Sequence, residues 1–186
     1  MITREEAFSI YTTYNSSPTL LKHALSVEAT MKRFALYYKE DVEYWGIVGL
    51  LHDIDYEKYP QEHCKMAPVI LRKHNIEEEM IHSIVSHGWG LCSDVEPVST
   101  MEKVLYTIDE LTGLISATAL MRPSKSLSDL EVKSVMKKWK TKGFSAGVDR
   151  DLILGGCKML NLELSEVISL TIEGMRSIAK ELDFAS

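Results

Sequence analysis

The stretch Gly49-Leu50-Leu51-His52-Asp53-Ile54-Asp55 most constrains what this chain can fold into, because it sets a histidine beside a carboxylate at the end of an apolar run, Tyr44 to Leu51. An imidazole buried next to an ionised carboxylate is costly unless each is hydrogen-bonded or shares a cation. The fold must therefore turn this pair toward water at a helix end, or gather further polar groups or a metal ion around it. His-Asp alone does not choose between these outcomes, so the rest of the chain has to.

Almost every segment around the pair carries helical spacing. The pattern predicts a first helix from about Thr3 to Tyr14. A second follows with Ser17 as N-cap and Pro18 at its first position, its stripe of Leu20, Ala24, Val27, Met31 and Phe34 reaching about Tyr38. Asp41 caps a third helix that ends between Asp53 and Asp55. Pro68 places the start of a fourth near Cys64 to Ala67, running to about Lys73, with His63 at its N-terminal edge. Asn75 reads as the cap of a helix from Ile76 to His87, stopped by Gly88. After a loop over 88–98, Ser99 or Thr100 caps a long helix to Met121. Ser128-x-x-Glu131 has the form of a capping box for a helix to about Lys140, Asp149 caps Arg150 to Leu160, and Ser165 opens a last helix to about Leu182. These elements imply an all-α chain, a single compact helical bundle over 1–186 with its chemistry between about 18 and 122 and the helices of 128–184 packed against that part.

Composition narrows the possible partners. A chain of 186 residues suits one domain and can bury roughly 70% of the surface its unfolded form exposes. With 27 acidic against 21 basic residues the net charge is −6, and no basic run is present, which argues against nucleic-acid and membrane-surface binding. The N-terminus lacks an apolar signal core and the best uncharged run, Leu111 to Met121, is too short to span a bilayer, so a cytoplasmic protein is expected. Cys64, Cys92 and Cys157 are odd in number, scattered and without a C-x-x-C pair. They are expected to be reduced and to form neither a disulfide framework nor a cysteine-rich zinc site.

The inward-facing candidates, in order, are His23, His52, Asp53, His63, His87 and Asp109. His23 borders the stripe of the second helix. Asp109 sits among Val104, Leu105, Ile108, Thr112 and Ile115, where a lone carboxylate needs an explanation. Mixed imidazole and carboxylate donors suit iron, manganese, zinc or magnesium rather than thiolate chemistry. Six ligands exceed what one tetrahedral ion uses and suit two ions about 3.5–4 Å apart, bridged by a carboxylate and a water. His74 and His82 fall outside the pattern and read as surface or packing residues.

This order resembles the HD-domain superfamily, helical metal-dependent phosphohydrolases with a His, a His-Asp pair and a distant Asp. The resemblance runs from about Leu20 to Leu120. His63-Cys64-Lys65-Met66-Ala67-Pro68 and Ser86-His87-Gly88 are similar to the two extra histidine motifs of its binuclear members. It implies that His23, His52 and Asp109 hold one or other of two divalent ions, that Asp53 bridges them, and that His63 and His87 complete the second. His52 and Asp53 are then the catalytic pair. The implied reaction is hydrolysis of a nucleotide or small-metabolite phosphoester by a bridging hydroxide. The same ligand set also serves the diiron oxygenases resembling myo-inositol oxygenase, and a helical binding module without catalysis is a third possibility. Binuclear relatives usually read His-Asp-Ile-Gly-Lys, the lysine lying near substrate phosphate, whereas this chain reads His52-Asp53-Ile54-Asp55-Tyr56. Lys58, Lys65 and Lys22 are the candidates to replace that lysine. Oligomeric state is not encoded in any motif.

Overall fold

A computed structural model describes residues 2–184. Among these, the helices are α1 (Arg4–Tyr14), α2 (Pro18–Tyr38), α3 (Val42–Leu51), α4 (Ala67–Lys73), α5 (Glu78–Val85), α6 (Thr100–Leu120), α7 (Val132–Trp139), α8 (Arg150–Leu160) and α9 (Leu164–Arg176). Short 3-10 turns cover Pro60–Glu62 and Ser86–Gly88. No β-strand occurs among the described residues, only an isolated bridge between Trp89 and Ser93. The all-α architecture is the one the periodicity implies. No helix among the described residues is long and apolar enough to cross a membrane.

Side chains chosen from the sequence set many of the helix starts. The Ser17 hydroxyl accepts from the Leu20 N–H with Pro18 opening α2, and Asp41 accepts from the N–H groups of Glu43 and Tyr44. Ser99 forms a reciprocal capping box with Glu102, and Asp149 accepts from the Leu152 N–H. Three expectations fail. Asn75 does not start α5: it takes the left-handed conformation (φ 57°) just after α4, where its N–H donates to the Arg72 carbonyl. Asparagine tolerates that conformation and so closes a helix as readily as it opens one. Ser128 caps nothing, because Ser126 captures both its hydroxyl and its N–H, and Glu131 precedes α7 without a side-chain capping bond. Finally, α9 opens on a Glu163–Glu166 capping box rather than on Ser165, and ends at Arg176, where the Ser177 hydroxyl donates to the Gly174 carbonyl. The following turns carry Leu182 and Phe184 back into the protein.

The core is centred on α2, which packs against α3, α6 and α9. Val27, Met31 and Phe34 meet Leu50, Leu51 and Ile108 there, all fully buried. Two glycines permit this closeness. A Cβ on Gly49 of α3 would lie 2.8 Å from Met31 Cγ and 3.1 Å from the Val27 carbonyl oxygen, and one on Gly174 of α9 would lie 2.8 Å from the Thr30 Cα. Backbone contact of α2 with helices on both sides fixes where His23 points.

Candidate metal centre

Five elements deliver the six candidate side chains to one place. His23 rides on α2 and Asp109 on α6, whereas His52 and Asp53 occupy the turn that ends α3. His63 follows the 3-10 turn Pro60–Glu62. His87 sits not on α5, as its spacing implied, but inside the 3-10 turn after it. His23 Nε2 lies 3.1 Å from His52 Nε2 and 3.0 Å from Asp109 Oδ1. His63 Nε2 lies 3.2 Å from His87 Nε2. Asp53 divides its carboxylate between these groups. Its Oδ2 is 3.5 Å from His23 and 3.3 Å from His52, and its Oδ1 is 3.4 Å from both His63 and His87. Two triads result, His23–His52–Asp109 and Asp53–His63–His87.

The outer ring nitrogens show what these triads suit. His52 Nδ1 lies 2.7 Å from the Gly49 carbonyl oxygen and His87 Nδ1 2.6 Å from that of Ile84. A carbonyl only accepts, so Nδ1 carries the hydrogen and Nε2 of the neutral ring turns a bare lone pair inward. His63 Nδ1 likewise faces Asp55 Oδ1 at 2.8 Å. Lone pairs of imidazoles and carboxylates thus crowd together at 3.0–3.5 Å, which demands cations or protons between them. Protons meet the demand when ions are absent. Burial disfavours charge on His52, which is wholly inaccessible, but Asp53 and Asp109 outweigh burial and hold its pKa well above the ordinary value. Burial would raise the pKa of Asp53 and of Asp109, yet the facing histidines hold both well below the usual carboxylate range. Metal ions bound by hard and borderline donors, with the histidines oriented from behind, satisfy the same arrangement. The residues present fit two such ions.

All of the donors except the wholly buried His52 line a cavity of about 830 Å³ whose wall includes Leu20, Leu91, Leu120, Val148, Leu182 and Phe184. A family model described as HD domain matches residues 20–136.

The chain belongs to the HD domain family.

The matched region contains all six candidate residues. No curated protein and no solved structure matches the chain. Of the lysines considered as replacements for the missing one, only Lys22 lines the cavity, and its Nζ lies 2.6 Å from Asp183 Oδ2. Lys58 points away, donating to the Thr13 carbonyl and lying over the Tyr14 ring, and Lys65 is exposed. Tyr56, at the position of the lysine, lines the cavity with its ring edge-on to that of His63. His74 faces the Tyr14 hydroxyl and His82 pairs with Glu102, both outside the cluster.

Two features of this HD domain escaped the sequence reading. Asp55 is wholly buried. Besides holding His63, it accepts the Ala67 N–H through Oδ2 at 2.8 Å, tying the His63 ring to the start of α4. Its signal was present, as a carboxylate where relatives carry glycine. The second feature corrects the view of the cysteines as scattered: Cys64 and Cys92 meet beside His63. Their spacing carries no signal, because the left-handed residue Cys64 (φ 65°) and the 3-10 turn at Ser86–Gly88 bring them together only in three dimensions.

Proposed function

We propose that this HD domain is a binuclear metal-dependent phosphohydrolase acting on a phosphoester of a nucleotide or small metabolite. His23, His52, Asp53, His63, His87 and Asp109 serve as metal ligands, and the helices beyond residue 128 belong to the same domain. The observation that supports this most is the division of the Asp53 carboxylate, one oxygen toward each triad. Bound divalent ions would supply Lewis acidity toward a phosphoryl oxygen and acidify a water near neutral pH. The chain supplies the rest. Asp53 keeps the two halves in register, and His52 is held by the Gly49 carbonyl.

One observation favours the diiron oxygenase as a second reading. Tyr56 stands where phosphate-binding relatives carry lysine, and Lys22, the one lysine on the wall, already faces Asp183. The deciding experiment is a screen of nucleotides and small phosphoesters under argon with Mn2+, Zn2+ or Mg2+, alongside elemental analysis. The expected result is two metal equivalents and release of phosphate or a phosphomonoester, lost in His52→Ala and Asp53→Ala. If no divalent ion gives release while the iron-loaded protein consumes O2 with a polyol or phosphonate, the oxygenase reading replaces this one.

A further inference from the structure

The Asp53–His63–His87 triad has sulfur beside it. Cys64 Sγ lies 4.0 Å from His87 Nε2, and the two sulfurs and a ring nitrogen of His63 all lie within 4.8 Å of one another. Cys92 also lines the cavity. The backbone accommodates this gathering: Cys64 adopts a left-handed conformation, and Gly88 faces both sulfurs at a point where any side chain would overlap them. Asp53 Oδ1, His63 Nε2 and His87 Nε2 stand 3.2–3.4 Å apart, as three corners of a triangle. With metal–nitrogen bonds near 2.0 Å and metal–sulfur bonds near 2.3 Å, ligand atoms on one tetrahedral ion are separated by about 3.3–3.8 Å. The triangle has that size, and Cys64 Sγ, 4.0 Å from His87 Nε2, lies just beyond the same range.

We propose that the His63–His87 half of the centre takes a sulfur of the Cys64–Cys92 pair as a ligand and therefore selects a thiophilic divalent ion such as Zn2+ over Mn2+ or Mg2+. This rests on the metal-centre reading above. The thiol releases its proton to solvent as the metal–sulfur bond forms, and no oxidant or reductant is required. The His23–His52–Asp109 half keeps only nitrogen and oxygen donors, so the two halves differ in the ions they prefer.

The test uses the reduced, metal-free full chain titrated anaerobically with Co2+. A sulfur-to-cobalt charge-transfer band should appear in the near ultraviolet, vanish in the Cys64→Ser/Cys92→Ser double variant and persist in Cys157→Ser. The visible cobalt bands of the nitrogen and oxygen ligands should remain in all three. The double variant should also lose at least tenfold in its preference for Zn2+ over Mn2+. Cobalt binding without a sulfur band in the wild type overturns this inference and leaves the metal centre standing, whereas no cobalt binding at all overturns the metal centre itself. Should the double variant fail to fold, X-ray absorption of the zinc-loaded wild type decides. A sulfur shell near 2.3 Å supports the assignment and its absence refutes it.

Discussion

Oδ1 of Asp55 accepts the Nδ1–H of His63 at 2.8 Å while its Oδ2 accepts the backbone N–H of Ala67. One carboxylate thus fixes both the tautomer of a candidate ligand and the entry of α4. Asp55→Asn can preserve one of these bonds but not both, since its amide nitrogen only donates. Its expected effect is a 10–100-fold loss of affinity for the ion at His63. Isothermal titration with Zn2+ would measure this, and unchanged affinity would show that α4 alone positions the ring.

The protons held in the ion-free cluster give a second expectation. Burial pulls the His63 pKa down, but the hydrogen bonds to Asp55 and Cys92 and the charges of Asp53 and Asp55 together outweigh it, raising it from 6.5 to about 10. A raised folded-state value stabilises the ion-free protein fully below 6.5, and that contribution is lost as pH rises through about 10. Ions must displace such protons. Metal uptake at pH 8 should therefore release protons, seen as a dependence of the calorimetric enthalpy on the buffer. The melting temperature of the ion-free protein should fall between pH 8 and 10 more steeply than that of the loaded form.

Glu102 governs a different pH range. Burial raises its pKa, but the N–H groups of Ser99 and Val98 together with His82 and Ser83 outweigh burial and hold it below the usual 4.5. The resulting stability is present above 4.5 and lost as pH falls through the depressed value. Glu102→Gln should cost about 1–3 kcal/mol at pH 7, because buried donors lose their acceptor. It should also flatten the acid limb of the stability curve, and urea titrations between pH 3 and 7 would record both effects.

Replacing Asp53 by Ala should lower metal content and activity together, whereas His74→Ala, at a residue that faces Tyr14 outside the cluster, should leave both near wild type. Equal losses in the two variants would mean that His74 belongs to the metal centre as much as Asp53 does.

The helix caps and the inward placing of His23 and Asp109 could be read from the sequence for the same reason: each depends on a residue type at a fixed distance from an apolar stripe. Ser17, Asp41, Ser99 and Asp149 were readable in this way, and so were His23 and Asp109. Asn75 was misread because its side chain suits both ends of a helix, and only the left-handed turn after α4 decides between them. Ser128 was misread because a nearer hydroxyl, that of Ser126, competes for it. The Cys64–Cys92 meeting could not be read at all, since two irregular turns with no periodicity create it.

Glycine packing offers a stability test that needs no metal or substrate. Gly174→Ala drives a methyl group into the α2 backbone at Thr30 and should cost about 1–3 kcal/mol. Gly155→Ala in α8 meets open space and should stabilise by roughly 0.5–1 kcal/mol through helix propensity. Chemical denaturation of the two variants should therefore shift in opposite directions.

The contact between Gly174 and Thr30 has a consequence for how far the family can be treated as a portable module. The HD domain match stops at residue 136, yet α9 lies beyond it and presses its backbone against α2 at Ala29 and Thr30, about two turns along the same helix from His23. A fragment cut at that boundary would strip cover from Ala29 and Thr30 and take away the buried Val167, Ile168 and Ile172. The boundary marks where likeness between sequences ends, and a surgeon of this protein who cut there would loosen the helix that aims His23.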